Sequence, residues 1–320
     1  MNVVVCTDAN YIMPCGIMLK SLCMNNKDES ISFFFVVNET VNQTLKKQLT
    51  EIIGEYPNKR IYFFLIDDER LEGLPIPIKR YTKSVYYRLF LAEILPADIH
   101  KVLFMDGDII VRHSLKPLWD TNISKVAVGV VPDMGDANMS FYNRLQYDSR
   151  KGYFNGGVLL INLDYWRNHD VLNRLLKYLK EYPERILLND QDAMNVVLQD
   201  EKRNLHLKYN MQEGFLYKNN DNFEWNKYGE ELTEALTNPS IIHYTHEIKP
   251  WFKECPHPYK GEFLKYKDMT VWKDVSLSKY CKERPLGILR RIINSLCRRK
   301  NIPLYNPTYL DTNLLSRHFS

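Results

Sequence analysis

The stretch KVLFMDGDIIVR, residues 101–112, joins an apolar run to two aspartates separated by one glycine. Similar β-branched or aromatic runs precede it at residues 2–6, 31–37 and 61–66. Apolar residues at helical spacing fill the gaps between these runs, over residues 12–24, 41–53 and 81–95. This alternation is typical of βαβ units. Because the runs read as continuously apolar, both sheet faces should be covered, so we predict an α/β sandwich with a parallel sheet at its centre.

The rest of the chain continues this pattern, with no internal repeat and no low-complexity linker. Two more strands are predicted at 125–131 and 157–162, helices at 171–179 and 190–198, and a short strand at 241–244. The segment 213–238 is polar and is expected to be irregular. Length alone would allow two domains, but the pattern does not support a division. We therefore predict one α/β domain at residues 1–265 and a basic tail at 266–320.

The charged residues are unevenly distributed along the chain. The net charge is +4, yet residues 279–300 hold eight Lys or Arg and one acid, which gives +7 and leaves −3 for the rest. A mildly acidic body argues against nucleic-acid binding, because such proteins need a basic surface.

The basic tail also shows amphipathic spacing. One helical arc carries Leu286, Leu289, Ile292, Ile293 and Leu296, and the opposite arc carries Arg291, Ser295, Arg298 and Arg299. With Trp272 and Tyr280 upstream, this pattern predicts a helix that lies on an anionic membrane surface. The alternative is a helix that packs on its own domain and exposes its basic face to solvent.

Several features point to a cytoplasmic protein. The start MNVVVCTD has no positive region, and Asp8 interrupts the apolar run, so no signal peptide is indicated. The longest apolar runs are far shorter than the roughly 20 residues that span a bilayer. The six cysteines form no CxxC pair, which favours reduced thiols.

The aspartate pair after the fourth strand is a candidate metal site. Asp106 and Asp108 are two residues apart, and Gly107 between them permits a bend that closes both carboxylates on one ion. Oxygen ligands of this kind suit Mg²⁺ or Mn²⁺. The carboxyl ends of strands in open α/β sheets are also where ligands bind.

Three further motifs each have a functional and a structural interpretation. Asn155, Gly156 and Gly157 precede a strand and could contact a sugar, or they form an ordinary turn. The motif LNDQD, residues 188–192, places acids at a helix start, where they could bind substrate or cap the helix. His243 and Lys249 follow a late strand and could supply a metal ligand and a phosphate contact, although a single His is usually structural.

In this order the four elements resemble the family 8 retaining glycosyltransferases, with the closest likeness to bacterial lipooligosaccharide and lipopolysaccharide galactosyl- and glucosyltransferases. The resemblance covers about residues 1–251. It implies a GT-A fold, which is a single Rossmann-like nucleotide-sugar-binding domain. It also implies a UDP-hexose donor, a divalent cation and a glycan acceptor, which in such enzymes is lipid-linked.

The resemblance also implies roles for particular residues. The metal ligands would be Asp106, Asp108 and His243. The donor contacts would be Asp8, Asn10, Tyr11, Arg88, Asp106, Gly107, Asp108, Asn155, Gly156, His246 and Lys249. Asp8 would meet the uracil, Tyr11 would pack on the base, and Lys249 would bind the diphosphate. Asp190 and Gln191 would lie at the donor hexose. His246 stands where the family commonly has glycine, so a donor contact there is in question.

The chemistry requires charge separation, since a nucleoside diphosphate leaves an anomeric carbon that becomes oxocarbenium-like. An imidazole ligand favours Mn²⁺ over Mg²⁺. The amide Gln191 is a poor nucleophile, so attack by the acceptor on the face that the diphosphate leaves is favoured, with Asp190 and Asp133 bonding sugar hydroxyls. Two alternatives are a haloacid-dehalogenase-like phosphatase, which also places DxD after a strand, and a non-catalytic sugar-binding relative. The choice between galactose and glucose stays open.

Overall fold

The protein is described by a computed structural model at residues 1–77, 82–217, 221 and 223–280. Numbered in chain order, the strands are β1 Asn2–Thr7, β2 Ile31–Val37, β3 Lys59–Leu65, β4 Lys101–Met105, β5 Ile109–Val111, β6 Val128–Pro132, β7 Phe154–Asn162, β8 Lys202–Asn204, β9 Met211–Gln212 and β10 Ile241–His243. The α-helices are α1 Ile12–Asn25, α2 Gln43–Ile53, α3 Leu91–Ile94, α4 Lys116–Trp119, α5 Met139–Leu145, α6 Leu163–Asn168, α7 Val171–Glu181, α8 Asn189–Val197, α9 Trp225–Thr237 and α10 Lys260–Lys267.

A seven-stranded sheet with the order β3-β2-β1-β4-β7-β6-β8 forms the centre of the described residues. Strands β1 to β4 pair in parallel, as the sequence predicts. Strand β7 runs antiparallel to both β4 and β6. Apolar side chains cover both faces of the sheet, in two large buried clusters. The α/β fold class is confirmed: β6 and β8 also pair in parallel, so every strand of this sheet except β7 runs in the same direction.

The reversed strand β7 corrects one sequence expectation. Asn155, Gly156 and Gly157 do not precede the strand but lie inside it, and the sheet therefore fixes them. Because β7 is antiparallel, its beginning lies beside the end of β4, where Met105 pairs with Val158. The NGG motif thus reaches the carboxyl edge of the parallel strands.

A small second sheet, ordered β5-β10-β9, extends from the same edge. Strand β10 is antiparallel to β5, with His243 opposite Ile109. This pairing brings the late histidine beside the aspartate pair, which is more than 130 residues earlier in the chain.

Two expected elements differ in the structure. The helix predicted at 81–95 is a 3₁₀ segment over Lys83–Phe90 followed by the short α3. All five residues from Tyr86 to Phe90 are buried, which the one-sided stripe of an amphipathic α-helix does not provide. The segment 213–238, expected to be irregular, contains α9, whose periodicity is interrupted at Gly229 with φ of 45°.

The chain beyond residue 265 still belongs to the packed body. Helix α10 spans the boundary predicted between residues 265 and 266. Trp272 is buried against Gly16, where an added Cβ would lie 2.2 Å from the indole. Trp272 is therefore not available to a membrane, contrary to its assignment to the tail pattern. Further on, Lys253 N–H donates to Ser278 O and Ser278 N–H donates to Trp251 O, which ties residues 276–280 to the body.

The predicted amphipathic helix lies beyond residue 280, outside the described residues. Among the residues that are described, no helix combines the length and the apolarity needed to cross a membrane. The four cysteines in the same part of the chain carry free thiols.

Candidate active site

Asp106, Asp108 and His243 converge where β4, β5 and β10 meet. One ligand atom from each lies within 4.8 Å of the others. His243 Nε2 is 3.3 Å from Asp108 Oδ1 and 3.9 Å from Asp106 Oδ2. Two carboxylates and one imidazole form a ligand set that suits a divalent cation. The three residues that the sequence analysis predicts as metal ligands therefore lie together in the fold.

Glycine is required at two positions of this site for close packing. A Cβ on Gly107 would lie 2.5 Å from Cys15 Sγ, so the turn between the aspartates packs directly on α1. A Cβ on Gly157 would lie 2.2 Å from His243 Cε1 and 2.9 Å from Asp106 Oδ2. Neither residue has positive φ. Their role is close approach, and Gly107 does not serve as a left-handed bend.

His243 is oriented from behind by a buried asparagine. Its Nδ1 lies 2.9 Å from Asn210 Oδ1, and the histidine itself is 4% exposed. The other ring nitrogen, Nε2, then faces the carboxylates. Partners that hold the non-ligating nitrogen of a histidine are usual at metal sites.

Lys249 is bound to one of the two aspartates. Its Nζ donates to Asp108 Oδ2 at 2.6 Å and to Tyr244 O at 2.6 Å. Burial alone would raise the pKa of Asp108, but the charges of Lys249 and His243 outweigh it and hold the pKa well below the usual range. The lysine predicted to bind a diphosphate thus lies directly beside the candidate metal ligands.

Arg88 joins the aspartate pair to the helix α8 motif. Its guanidinium lies 3.1 Å from Asp106 Oδ1 and 2.9 Å from Asp190 Oδ2, and it also donates to Gly156 O. Asp190 is 4% exposed, and burial raises its pKa to about 6 against the opposing charge of Arg88. One arginine thereby connects the predicted metal and sugar sides of the site.

Gln191 and Asn155 meet at a second buried carboxylate, Asp133. Gln191 Nε2 donates to Asp133 Oδ2 at 3.3 Å, and Asn155 Nδ2 donates to the same oxygen at 3.0 Å. Gln191 Oε1 accepts from Gly156 N–H at 2.8 Å. Both ends of the Gln191 amide are held, and burial raises the pKa of Asp133.

The predicted nucleotide contacts lie on the connection after β1. Asp8 Oδ1 accepts from Asn10 N–H at 2.9 Å, and Asp8 Oδ2 accepts from Thr82 Oγ1 at 2.6 Å. Asn10 itself is exposed. Tyr11 packs edge-on against Trp251, with ring centroids 5.4 Å apart, and its ring also approaches Gly107. Tyr11 therefore joins this connection to the aspartate pair.

Two motif residues serve structural roles. His246 Nδ1 accepts from Ile248 N–H at 3.2 Å and so caps the turn that leads to Lys249. Asp192 is fully buried, pairs with Arg144, and accepts from the backbone N–H groups of Leu187 and Leu188. Asp192 thus holds the start of α8 in place, as the capping interpretation of LNDQD requires.

Asn210 is the site residue that sequence reasoning missed. It lies in a 3₁₀ turn before β9, inside the unremarkable stretch LHLKYNMQ, residues 205–212. No motif surrounds it, and it is 33 residues from the histidine that it contacts.

The family profile described as "Glycosyl transferase family 8" matches residues 2–255. General stress protein A of Bacillus subtilis is 28% identical over 280 residues, which cover 86% of this chain and 96% of that protein. Lipopolysaccharide 1,3-galactosyltransferase of Salmonella typhimurium is 26% identical and covers 86% of this chain and 80% of its own length. Lipopolysaccharide glucosyltransferase WaaO of Escherichia coli is 29% identical, with coverages of 85% and 79%.

Among solved structures, the galactosyltransferase LgtC in complex with donor and acceptor sugar analogues superposes with a TM-score of 0.75. The match covers 85% of this chain and 96% of that one, at 24% identity, and so supports the fold. The family match spans both sheets and every site residue described above, from Asp8 to Lys249. The chain belongs to glycosyl transferase family 8.

Proposed function

We propose that this glycosyltransferase moves a hexose, galactose or glucose, from a UDP-sugar to a glycan acceptor with retention of configuration. The observation that carries the proposal is the joining of two half-sites by Arg88. The carboxylate-histidine trio and Lys249 form one half, and Asp190, Gln191 and Asp133 form the other. The first half suits a metal diphosphate and the second suits sugar hydroxyls.

The trio Asp106, Asp108 and His243 would hold the divalent cation. The imidazole favours Mn²⁺ over Mg²⁺, because Mg²⁺ prefers oxygen ligands. When bound, the cation would neutralise the charge that develops on the departing diphosphate.

The chain's own residues would bind the diphosphate and position the groups that react. Lys249 would donate to a phosphate oxygen, which requires it to exchange its bond to Asp108. Arg88 would hold the carboxylates of Asp106 and Asp190 in place. The bond from the anomeric carbon to the phosphate oxygen breaks, and its electron pair leaves with UDP. The acceptor hydroxyl then bonds to that carbon from the same face and passes its proton to the departing phosphate.

The geometry supports same-face attack over a covalent enzyme intermediate. Gln191 is a neutral amide whose two ends are already bonded to Gly156 and Asp133. An amide in this state is a poor nucleophile. Family membership also removes the phosphatase alternative.

For the acceptor we propose lipopolysaccharide or another lipid-linked cell-surface glycan, since relatives are lipopolysaccharide galactosyl- and glucosyltransferases. We further propose that the protein works at the cytoplasmic face of the membrane, held there by the basic tail. The +7 charge of residues 279–300 supports this, because anionic lipids attract such segments.

The test is hydrolysis of UDP-galactose and UDP-glucose by the purified full-length protein with Mn²⁺, followed by a screen of acceptor glycans. We expect metal-dependent release of UDP, and a loss of about 100-fold or more in Asp106→Asn, as for other lost charge-stabilising groups. Asp120→Asn makes the same change at an exposed aspartate and should leave the rate unchanged. A protein that neither binds nor hydrolyses any UDP-sugar would be a non-catalytic relative.

A further inference from the structure

Asn210 has no contact with solvent and its carboxamide bridges two residues of the site. It is 0% exposed, with Nδ2 bonded to Asn155 Oδ1 at 2.9 Å and Oδ1 lying 2.9 Å from His243 Nδ1. A buried amide of this kind must satisfy its bonds within the protein. Either end of the carboxamide could in principle face Nδ1 of His243. An oxygen there requires a proton on Nδ1, whereas a nitrogen there requires Nδ1 without a proton.

A backbone group settles the orientation. The N–H of Gly157 can only donate, and it donates to Asn155 at 2.9 Å, so the Asn155 atom in that position is the oxygen. The nitrogen of Asn155 then faces the Asp133 carboxylate at 3.0 Å, which accepts. The two contacts assign the oxygen and the nitrogen of the Asn155 carboxamide independently, and the two assignments are consistent.

The same oxygen of Asn155 also faces Asn210. Because an oxygen there can only accept, Asn210 must present its Nδ2 to it. The remaining atom, Asn210 Oδ1, therefore faces His243 and accepts a hydrogen bond from Nδ1–H. The chain of bonds thus runs from the Gly157 N–H through two amides to the histidine ring.

The consequence is a fixed tautomer. In the uncharged form of the ring, which is the form that binds a metal, this bond places the single proton on Nδ1 and directs the lone pair of Nε2 toward Asp106 and Asp108. Gly157 also lies against the ring, where an added Cβ would lie 2.8 Å from Nδ1, so the ring has little room to turn over.

We propose that Asn210 is a positioning residue that holds His243 in the Nδ1-protonated tautomer before any cation binds. This proposal rests on the proposed metal-dependent function, and it adds a residue outside the four sequence motifs. It also links the sugar side of the site to the metal side, since the bonds of Asp133 and Asn155 lead to the ring of His243.

The first readout is the tautomer itself, measured without metal. Long-range ¹H–¹⁵N correlation spectra of the ¹⁵N-histidine-labelled protein in chelator distinguish the two neutral tautomers. The signal of His243 among the eight histidines is identified by its absence in His243→Gln. The spectra are recorded at a pH high enough for the ring to be neutral, and we expect its proton on Nδ1 in the wild type. A neutral ring with its proton on Nε2 overturns the proposal, whether or not the protein binds metal.

The second readout is the affinity for Mn²⁺ alone, by calorimetry. Leucine has a volume similar to that of asparagine and no hydrogen-bond acceptor. We expect Asn210→Leu to bind Mn²⁺ about 10- to 100-fold more weakly, and we expect its His243 ring to populate both tautomers. Asn210→Ala leaves room for a water, should lose less, and serves if leucine prevents folding. Asn26→Leu is the matched control, because Asn26 is a buried asparagine that bonds Leu22 O and Leu115 N–H away from the site.

The outcomes separate this proposal from the proposed function. If wild-type protein does not bind Mn²⁺, the metal-dependent function fails and the tautomer still decides the role of Asn210. If Asn210→Leu binds Mn²⁺ as the wild type does, the positioning role is wrong. A weaker affinity with an unchanged tautomer, or an equal loss in Asn26→Leu, would assign Asn210 a merely structural role and also overturn the proposal.

Discussion

The ammonium of Lys249 lies 2.6 Å from the Oδ2 of Asp108, a carboxylate of the candidate metal site. A lysine and a divalent cation would therefore compete for the same oxygen. Once a diphosphate is present, the lysine can exchange the carboxylate for phosphate oxygens, and the competition is relieved. Each of the two ligands of the site, the metal ion and the nucleotide, should consequently raise the affinity for the other.

The variant Lys249→Met tests separately how Lys249 affects the binding of the metal ion and of the nucleotide. We expect Mn²⁺ alone to bind about tenfold more tightly, because a competing positive charge is removed. UDP with Mn²⁺ should bind about 10- to 100-fold more weakly, since a charge-assisted hydrogen bond contributes about 1.5–3 kcal/mol. Calorimetry with each ligand measures both. Lys253→Met removes an exposed lysine four positions later and should change neither. Weaker binding of the metal alone would show that Lys249 supports the site and does not compete with the cation.

Gly157→Ala tests the close approach of β7 to the candidate metal ligands His243 and Asp106. The added methyl would lie 2.2 Å from His243 Cε1 and 2.9 Å from Asp106 Oδ2, so both side chains must move. We expect Mn²⁺ binding and turnover to be lost. Gly261→Ala in α10 meets nothing within 4 Å and should raise the free energy of unfolding by up to about 1 kcal/mol. Full Mn²⁺ affinity in Gly157→Ala would contradict the geometry.

Asp190→Asn is expected to change how stability depends on pH. Burial raises the pKa of Asp190 from 3.8 to about 6. The folded protein thus retains its proton between these values while the unfolded chain has lost it, and wild-type stability falls as the pH rises through this window. The variant lacks this loss, so its free energy of unfolding relative to the wild type should increase by about 2 kcal/mol from pH 4 to pH 7.

The measurement is denaturant unfolding in chelator at several pH values. Asp120→Asn, at an exposed position, should follow the wild type at every pH. A difference between Asp190→Asn and the wild type that does not vary with pH would mean that folding does not raise the pKa of Asp190.

Shortening the chain to end at Tyr280 tests the tail. The body should stay folded, because Tyr280 packs on Phe252 and its N–H donates to Glu254. We expect UDP-sugar hydrolysis to be retained and binding to anionic liposomes to be lost, since each Lys or Arg near such a surface contributes about 1 kcal/mol. Neutral phosphatidylcholine liposomes are the control. Unchanged binding to anionic liposomes would place membrane contact on the body.

The sequence predicts most of the fold because each parallel strand is a short apolar run with a helical pattern after it. It cannot give the direction of β7. A strand buried on both faces reads as continuously apolar in either direction, so GVLLIN carries no sign of the reversal. The reversal places Asn155, Gly156 and Gly157 within the sheet.

The candidate site likewise contains some residues that the sequence predicts and others that it does not. Asp106, Asp108 and His243 could be found because each lies at a strand end beside other chemically informative residues. Asn210 acts through one hydrogen bond across 33 residues, and a lone asparagine in a turn has no local signal. Trp272 was misplaced because an apolar residue near a basic segment looks the same whether it packs on its own body or on lipid.

The bridge between Phe252 and Ser278 determines where an anchored enzyme would be held. It places the exit of the tail, at Tyr280, against a residue only three positions beyond Lys249. A tail bound to the membrane as proposed would therefore tether the protein at its nucleotide side. A lipid-linked acceptor would then approach the protein from the side on which the nucleotide is proposed to bind.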